Sequence, residues 1–287
     1  MSNYAIEARD LVYTYEDGTI ALDHISFCAE AGKITGILGS NGAGKSTLFL
    51  NLNGVYTPQS GQVLIDGETV VYNRKGMQAL RKNVGIVFQD PDNQLFSADV
   101  YRDISFGAIN LGLDDAEVRR RVDWAMEKTG ITALKDKPTH ALSFGQKKRV
   151  AIAGILVMEP KIMILDEPTA GLDPQGVSDI MHLLTAIRDQ LHITIIIATH
   201  DMDIVPLYCD YAYLLNDGKM KAYGTPEQLF SDPVLLRENH LRLPRIAHLM
   251  EILNKKDGLE TETLVSTIGG ARTEIKRMIQ ENTHENR

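Results

Sequence analysis

Three short stretches of this chain carry residue types that do chemistry on phosphates. The first, Gly39-Ser40-Asn41-Gly42-Ala43-Gly44-Lys45-Ser46-Thr47, fits the spacing G-x-x-x-x-G-K-[ST]. Glycines at 39, 42 and 44 let the backbone curl, so that successive N–H groups point at phosphate oxygens. A helix opening near Lys45 adds the positive end of its dipole. Lys45 is placed to reach the β- and γ-phosphates of a nucleotide, and the Ser46 hydroxyl to ligate Mg²⁺. An ordinary glycine-rich turn is the plainer alternative; the intact motif between a strand and a helix disfavours it. The second stretch, Ile162-Met163-Ile164-Leu165-Asp166-Glu167, reads as an apolar strand ending in two carboxylates. Asp166 suits the Mg²⁺ shell, directly or through water. Glu167, one residue on, points elsewhere and can orient an attacking water as general base. The third stretch is Leu142-Ser143-Phe144-Gly145-Gln146, where Ser143 is placed to cap the helix that follows.

The elements that must position these residues follow from periodicity. Strands are expected over 11–15 and 22–27, antiparallel around an Asp17-Gly18 turn. A short buried strand over 34–38 feeds the glycine loop, and a helix runs from Lys45 to about Leu52. Residues 61–67 read as a hairpin strand and 84–88 as a core strand. Between Ala98 and Thr129 apolar residues recur at helical spacing, and residues 143–158 are helical again. Strands over 161–165 and 193–199, separated by a helix over 174–190, make a βαβ unit. Residues 211–215 and 220–223 form a last hairpin around Asn216-Asp217-Gly218. After Pro244 the pattern breaks into short helical pieces, 246–253 and 273–279, separated by Lys255-Lys256-Asp257-Gly258 and by Gly269-Gly270. A boundary is expected near 230–243.

Length and charge narrow the class. With 287 residues there is room for one large α/β domain and a small appendix. A net charge of −8 and a pI near 5.5 disfavour a nucleic-acid partner. Cys28 and Cys209 lie outside any C-x-x-C spacing and read as reduced structural thiols. The N-terminus has no apolar h-region of a secretory signal. The longest apolar run, 150–158, is far short of a membrane span, so membrane association must go through a partner. The 8 histidines are scattered, with no ligand spacing.

The glycine loop, the Leu-Ser-x-Gly-Gln pentapeptide and the strand ending in Asp166-Glu167 together resemble the ATP-binding-cassette (ABC) ATPases. The resemblance covers about residues 4–240. It implies an α/β P-loop NTPase fold, a RecA-like core with an antiparallel β subdomain and a helical signature subdomain. Residues 1–240 would form the cassette, and 241–287 a small C-terminal domain, a candidate dimerisation element. The ligands implied are ATP and Mg²⁺. In the family two subunits face each other, and the signature of one, here Ser143, Phe144, Gly145 and Gln146, closes over the ATP of the other. Phe144 departs from the commoner glycine and is tolerable if it points away from the phosphate. Gln89, ending a core strand, matches the glutamine that ligates Mg²⁺ and senses the membrane partner. His200, after the strand 195–199, matches the switch histidine at the γ-phosphate. Asp173 matches the D-loop aspartate that crosses the dimer interface. Tyr15 matches the aromatic that stacks on adenine, with Tyr13 as rival.

Softer features point within the family. Residues 88–96 and 99–107 look like the ATPases of energy-coupling-factor transporters, and 141–150 look closest to their cobalt-type member. That resemblance implies an importer of cobalt, nickel, another transition-metal ion or a vitamin. Its ATPase would be peripheral, on the cytoplasmic face of the cell membrane. The partners implied are a second copy or a paralogous ATPase, an integral-membrane scaffold and a substrate-binding membrane subunit, with no nucleic acid. Asp90, Asp92 and Asp99 are candidates to accept an arginine from the scaffold. The alternative is a soluble ABC ATPase working on DNA or the ribosome. A single set of motifs, no Cys-rich insertion and an acidic balance disfavour it. In the appendix, Ile246, Leu249, Met250 and Leu253 form an apolar stripe too short to bury itself. It packs either on its own cassette or on the same segment of a second subunit.

Overall fold

The computed structural model describes residues 3–258 and 265–285, the side chains of 281–285 excepted. Its strands are β1 (Tyr4–Thr14), β2 (Ile20–Glu30), β3 (Ile34–Leu38), β4 (Ser60–Ile65), β5 (Glu68–Thr69), β6 (Val84–Val87), β7 (Ile162–Asp166), β8 (Thr194–Thr199), β9 (Tyr211–Asn216) and β10 (Lys219–Gly224). Its helices are α1 (Lys45–Leu52), α2 (Arg74–Asn83), α3 (Val100–Asn110), α4 (Asp115–Thr129), α5 (Phe144–Leu156), α6 (Pro174–Leu191), α7 (Val205–Tyr208), α8 (Pro226–Phe230), α9 (Pro233–Glu238), α10 (Arg245–Asp257) and α11 (Ile268–Glu285).

Two sheets result. One is antiparallel, in the order β2-β1-β4-β5; the other runs β10-β9-β3-β8-β7-β6. In the second sheet β9, β3, β8, β7 and β6 are parallel to their neighbours, and β10 turns back antiparallel on β9. The parallel strands are apolar on both faces, as strands covered on both sides must be. Their period of two divides the core. Ile195 and Ile197 of β8 join the helices, with Val150 and Leu184, whereas Ile196 and Ala198 face Leu22, Phe27 and Phe49 on the other side. The α/β cassette fold expected from the motifs is the one observed.

The functional strands all end on one edge of this sheet. β3 runs into the glycine loop, β6 into Gln89, β7 into Glu167 and β8 into His200. This is the carboxyl edge, where parallel sheets place their ligands. α5 starts as expected, with a reciprocal capping box: Ser143 Oγ accepts from the Gln146 N–H at 3.4 Å, and Gln146 Oε1 from the Ser143 N–H at 3.0 Å. α2 has no counterpart among the expected elements. Its apolar face is only Met77 and Leu80, three residues apart among mostly charged and polar neighbours, too few to mark a helix in the sequence.

The appendix differs from expectation at both of the expected separators. Lys255, Lys256 and Asp257 lie inside α10, which ends at Gly258 in the left-handed region. Gly269 and Gly270, expected to separate two pieces, lie in the first turn of α11 instead. A side chain on Gly270 would meet Val265 Cγ1 at 2.1 Å, so this glycine lets the chain before the helix fold against it. α10 and α11 pack together through Met250, Ala271 and Met278, with Ile246, Leu253, Val265 and Ile275 around them. The stripe is thus covered by the same chain's last helix, while Leu249 stays exposed. Leu229, Phe230, Leu236, Leu241, Leu243 and Ala247 belong to the main core.

Candidate functional site

The glycine loop wraps the start of α1. Gly44 has φ 105°, and a side chain there would stand 2.6 Å from the Ala21 carbonyl oxygen. Only glycine therefore closes this turn. No side chain caps α1, so its first N–H groups stay available to an anion. Lys45 is buried; its ammonium donates to the carbonyls of Gly39 (2.8 Å) and Ser40 (3.1 Å) and lies 3.8 Å from Glu167 Oε1. Asn41 to Thr47 line a cleft of about 460 Å³ with Tyr15, Gln89, Asp166 and Glu167. Gly39 is buttressed instead by the Leu215 carbonyl of β9.

Oxygen donors meet on the cleft floor. Ser46 Oγ donates to Asp166 Oδ2 at 2.5 Å, and Gln89 lines the same space. A hydroxyl, a carboxylate and an amide are the hard donors that suit Mg²⁺, so these residues fit the ion. Glu167 is only 5% exposed and takes φ 48°, unusual for a residue with a side chain. Its N–H donates to the Ala198 carbonyl at 3.1 Å, and its Oε1 lies 2.9 Å from His200 Nδ1. The carboxylate is therefore clamped between a lysine and a histidine, aimed at the cleft beside the phosphate loop.

Of the two candidate aromatics, Tyr15 is the one in the cleft. Its hydroxyl is 2.6 Å from Thr47 Oγ1. Tyr13 stacks on Tyr56 at 4.8 Å and supports Tyr15 edge-on.

Ser143, Phe144, Gly145 and Gln146 do not line this cleft. Phe144 borders a neighbouring one of about 710 Å³, with Phe88, Gln89, Asp90, Asp166 and Gly171. Its ring packs so closely on Gly171 that a side chain there would stand 2.8 Å from Phe144 Cε1. Asp173 caps α6 by accepting from the Gly176 N–H at 2.7 Å. The sequence-derived residues thus divide. The loop, Tyr15, Gln89, Asp166, Glu167 and His200 share one site, while the pentapeptide stands apart from it, its helix start capped by Ser143 and Gln146.

Some residues at the site were missed by sequence reasoning. Thr19, Ile20, Ala21, Asp217 and Gly218 also line the cleft. The Gly218 N–H donates to the Ala43 carbonyl at 3.1 Å, so the β9–β10 turn buttresses the loop. Lys148 was missed too. It is 3% exposed and donates to the carbonyls of Gln89 (3.2 Å) and Glu167 (3.1 Å). Burial pushes its ammonium down to about 8, against the opposing pull of Glu167, Asp90 and Asp166. Its one sequence signal is the i, i+4 spacing from Phe144.

Comparison with known proteins speaks to the family. The family described as ABC transporter matches residues 22–170. Over 275 residues the chain is 58% identical to the energy-coupling factor transporter ATP-binding protein EcfA3 of Clostridium perfringens, covering 96% of each chain. It superposes with a TM-score of 0.77 on cbiO1 from Clostridium perfringens, part of the ABC transporter complex cbiONQ, at 58% identity, covering 88% of this chain and 100% of that one. The dimeric structure of MJ0796, a bacterial ABC transporter cassette, matches at 25% identity and a TM-score of 0.70, covering 77% of this chain and 98% of that one. The chain therefore belongs to the ATP-hydrolysing subunits of ABC transporters, in their energy-coupling-factor branch.

Proposed function

We propose that this chain is the motor of a cobalt importer, bound to the cytoplasmic face of the cell membrane through an integral-membrane scaffold that also carries a substrate-binding subunit. The observation that carries the motor reading is the convergence of Lys45, Ser46–Asp166 and Glu167–His200 on one cleft at the uncapped start of α1. Support for cobalt comes from residues 141–150, which resemble the cobalt-type member, and from the likeness to a component of the cbiONQ complex. Among the described residues no helix is long and apolar enough to cross a membrane.

In this mechanism two copies, or this chain and a paralogue, hold two ATP molecules between them. Lys45 exchanges the carbonyls of its own loop for β- and γ-phosphate oxygens, and the N–H groups of α1 receive the remaining charge. Ser46, Asp166 and Gln89 would hold Mg²⁺, which neutralises charge on the phosphates when bound. Tyr15 offers its ring to adenine. Ser143 and the start of α5, with Phe144, Gly145 and Gln146, face the γ-phosphate held by the partner, and Asp173 crosses near them. Glu167 takes the proton of the attacking water at its carboxylate, and His200 orients that carboxylate. Residues 1–240 form the cassette, and 241–287 a small domain that keeps the dimer together.

The scaffold is proposed to dock in the groove between α2 and α3. Phe96 and Phe106 meet edge-to-face there at 4.8 Å, and both are exposed. Gln94, on the groove wall, accepts from the Phe88 N–H at 3.0 Å, next to Gln89, which gives docking a short path to the site. Asp90, Asp92 and Asp99 each have local partners. Asp90 accepts from the Asp92 N–H, Asp92 pairs with Lys147 at 2.6 Å, and Asp99 caps α3 and pairs with Arg102 at 3.2 Å. An arginine from the scaffold would have to compete with these.

The experiment is uptake into vesicles holding the complex purified from solubilised membranes. ATP-dependent uptake of labelled Co²⁺ is expected, absent in Glu167→Gln. Uptake of nickel or a vitamin but not of cobalt would refute the substrate; a chain that never co-purifies with membrane subunits would refute the motor.

A further inference from the structure

Lys148 sits where three functional segments meet. It belongs to α5, the signature helix, one turn after Phe144. Its ammonium donates to the carbonyls of Gln89 and Glu167, the residues that follow β6 and β7. It also lies 5.3 Å from the centre of the Phe144 ring, within cation–π range. That ring covers Gly171, two residues before Asp173. A lysine this buried is rare, because desolvation of the ammonium is costly unless it is well bonded.

The Glu167 backbone explains what the lysine secures. At φ 48° this residue sits in the left-handed region, which is strained for a residue with a side chain. Such a turn persists only if its surroundings hold it. Here the N–H before the strained carbon is bonded to the Ala198 carbonyl, and the carbonyl after it accepts from Lys148. The side chain of Glu167 aims between Lys45 and His200 because both of these peptide groups are fixed.

We infer that Lys148 is a positioning residue for hydrolysis, holding the backbones of Glu167 and Gln89 against the signature helix of the same subunit. The inference rests on Glu167 as base and on facing subunits. Lys148 acts on the ATP site of its own subunit, whereas the Ser143 end of the same helix serves the partner's. Movement of the signature helix when the partner's ATP is gripped is then passed through one ammonium to the base of the other site.

The test uses Lys148→Met, which keeps the length and removes the donors, in the full-length protein. ATP affinity and binding stoichiometry are expected to stay within about twofold, because Lys45 and its loop are untouched. The rate constant kcat is expected to fall roughly ten- to hundredfold, the scale of a misplacement of about 1 Å at a reacting group. Lys148→Arg, which keeps charge and donors, is expected to recover most of the rate. Mixed dimers locate the effect. Chains with Lys148→Met and Ser143→Arg are mixed with Lys45→Ala chains, so the one intact composite site uses the Glu167 beside the altered lysine. In the reciprocal mixture Lys148→Met accompanies Lys45→Ala and the partner carries Ser143→Arg, so the intact site draws only its signature from the altered chain. Loss in the first mixture with near-normal rate in the second supports the proposal. Equal loss in both, or loss only in the second, overturns it, as does an unchanged kcat. If Lys148→Met does not fold, Lys148→Gln, with one amide donor, takes its place; a kcat equal to that of the unaltered chain then overturns the proposal. Control mixtures without the Lys148 substitution separate the two ideas. If they are inactive, the facing-dimer reading fails and this one falls with it; if they are active, a normal rate in the first mixture sinks the Lys148 role alone.

Discussion

Replacing Glu251 by Gln isolates one charge that fastens the appendix to the cassette. Glu251, on α10, is only 6% exposed in its side chain. It accepts from Arg237 of α9 at 2.5 Å and from Lys255 at 2.9 Å, with His248 at 3.3 Å. The Arg237 hydrogen bond, ahead of those from Lys255 and His248, pulls its carboxyl from the usual 4.5 down to about 2. Taken whole, that shift corresponds to roughly 3 kcal/mol of stability at neutral pH. Arg237 and Lys255 are half or more in water, which screens the pairs, so about 2 kcal/mol is the better figure. The sign follows from the depressed value. The contribution is complete above 4.5 and is lost as pH falls from there through about 2. Urea unfolding followed by circular dichroism is therefore expected to place Glu251→Gln about 2 kcal/mol below the unaltered protein at pH 7. The gap should narrow to less than half at pH 3. The same gap at both pH values would mean that shape, not charge, is lost; no gap at pH 7 would mean that the cluster fastens nothing.

Other expectations concern the phosphate site. Glu167→Gln keeps the shape of the base and removes its function, so hydrolysis should fall on the order of a hundredfold or more while ATP binding survives; a normal rate would refute the base. Lys45→Ala removes the charge facing the β- and γ-phosphates, and titration should find weaker nucleotide binding; unchanged affinity would sink the loop assignment. Ser143→Arg should spare ATP binding by the monomer and block closure, and mixing it with Lys45→Ala should restore one composite site. A mixture no more active than its parents would argue against facing subunits. For the appendix, Leu249→Glu with Ile268→Glu alters two exposed apolar side chains without touching the α10–α11 contact. Sedimentation without nucleotide should then show a weaker dimer; an unchanged monomer–dimer balance would remove the appendix as a dimerisation element.

Much of the site was legible because its chemistry is local. The glycine loop, the strand ending in Asp166-Glu167 and the Ser143 cap each lie within one strand–turn–helix, where residue type fixes backbone geometry directly. The parallel strands were legible because they are apolar on both faces. What escaped depends on distant packing. Lys148 stands between two other cations, Lys147 and Arg149, and no spacing there marks it for burial; only the fold brings the Gln89 and Glu167 carbonyls to it. The Asp217-Gly218 turn was read as a hairpin, correctly, but its contact with Ala43 crosses from β9 to the loop. Gly269 and Gly270 misled for a related reason. A glycine pair usually ends a helix, but in a first turn the penalty is small and the close approach of Val265 uses the missing side chain.

The appendix meets the cassette on the loop that carries His200. Asp203, three residues on, accepts from the Arg245 N–H at 2.7 Å and from Arg242 at 3.0 Å; Arg242 also lies 3.7 Å from Asp201. Both arginines are more than half exposed, so each side-chain pair is worth ~0–1 kcal/mol and weakens with salt. They cannot be what holds the segment down. Leu236, Leu241, Leu243 and Ala247 do that, each nearly or fully buried in the main core. The ion pairs instead select one orientation of a segment already attached by apolar contact. The Arg245 bond differs from the rest, since it joins a main-chain N–H to the side chain of Asp203, whose own N–H donates to Asp201 Oδ1 in the turn after His200. Cutting the chain near Leu243 would therefore remove Ala247 from the core and a partner from Asp203 together, disturbing the His200 turn whatever the appendix does for the dimer. Surface substitutions at Leu249 and Ile268 leave both contacts in place, so they separate dimerisation from damage to the catalytic edge.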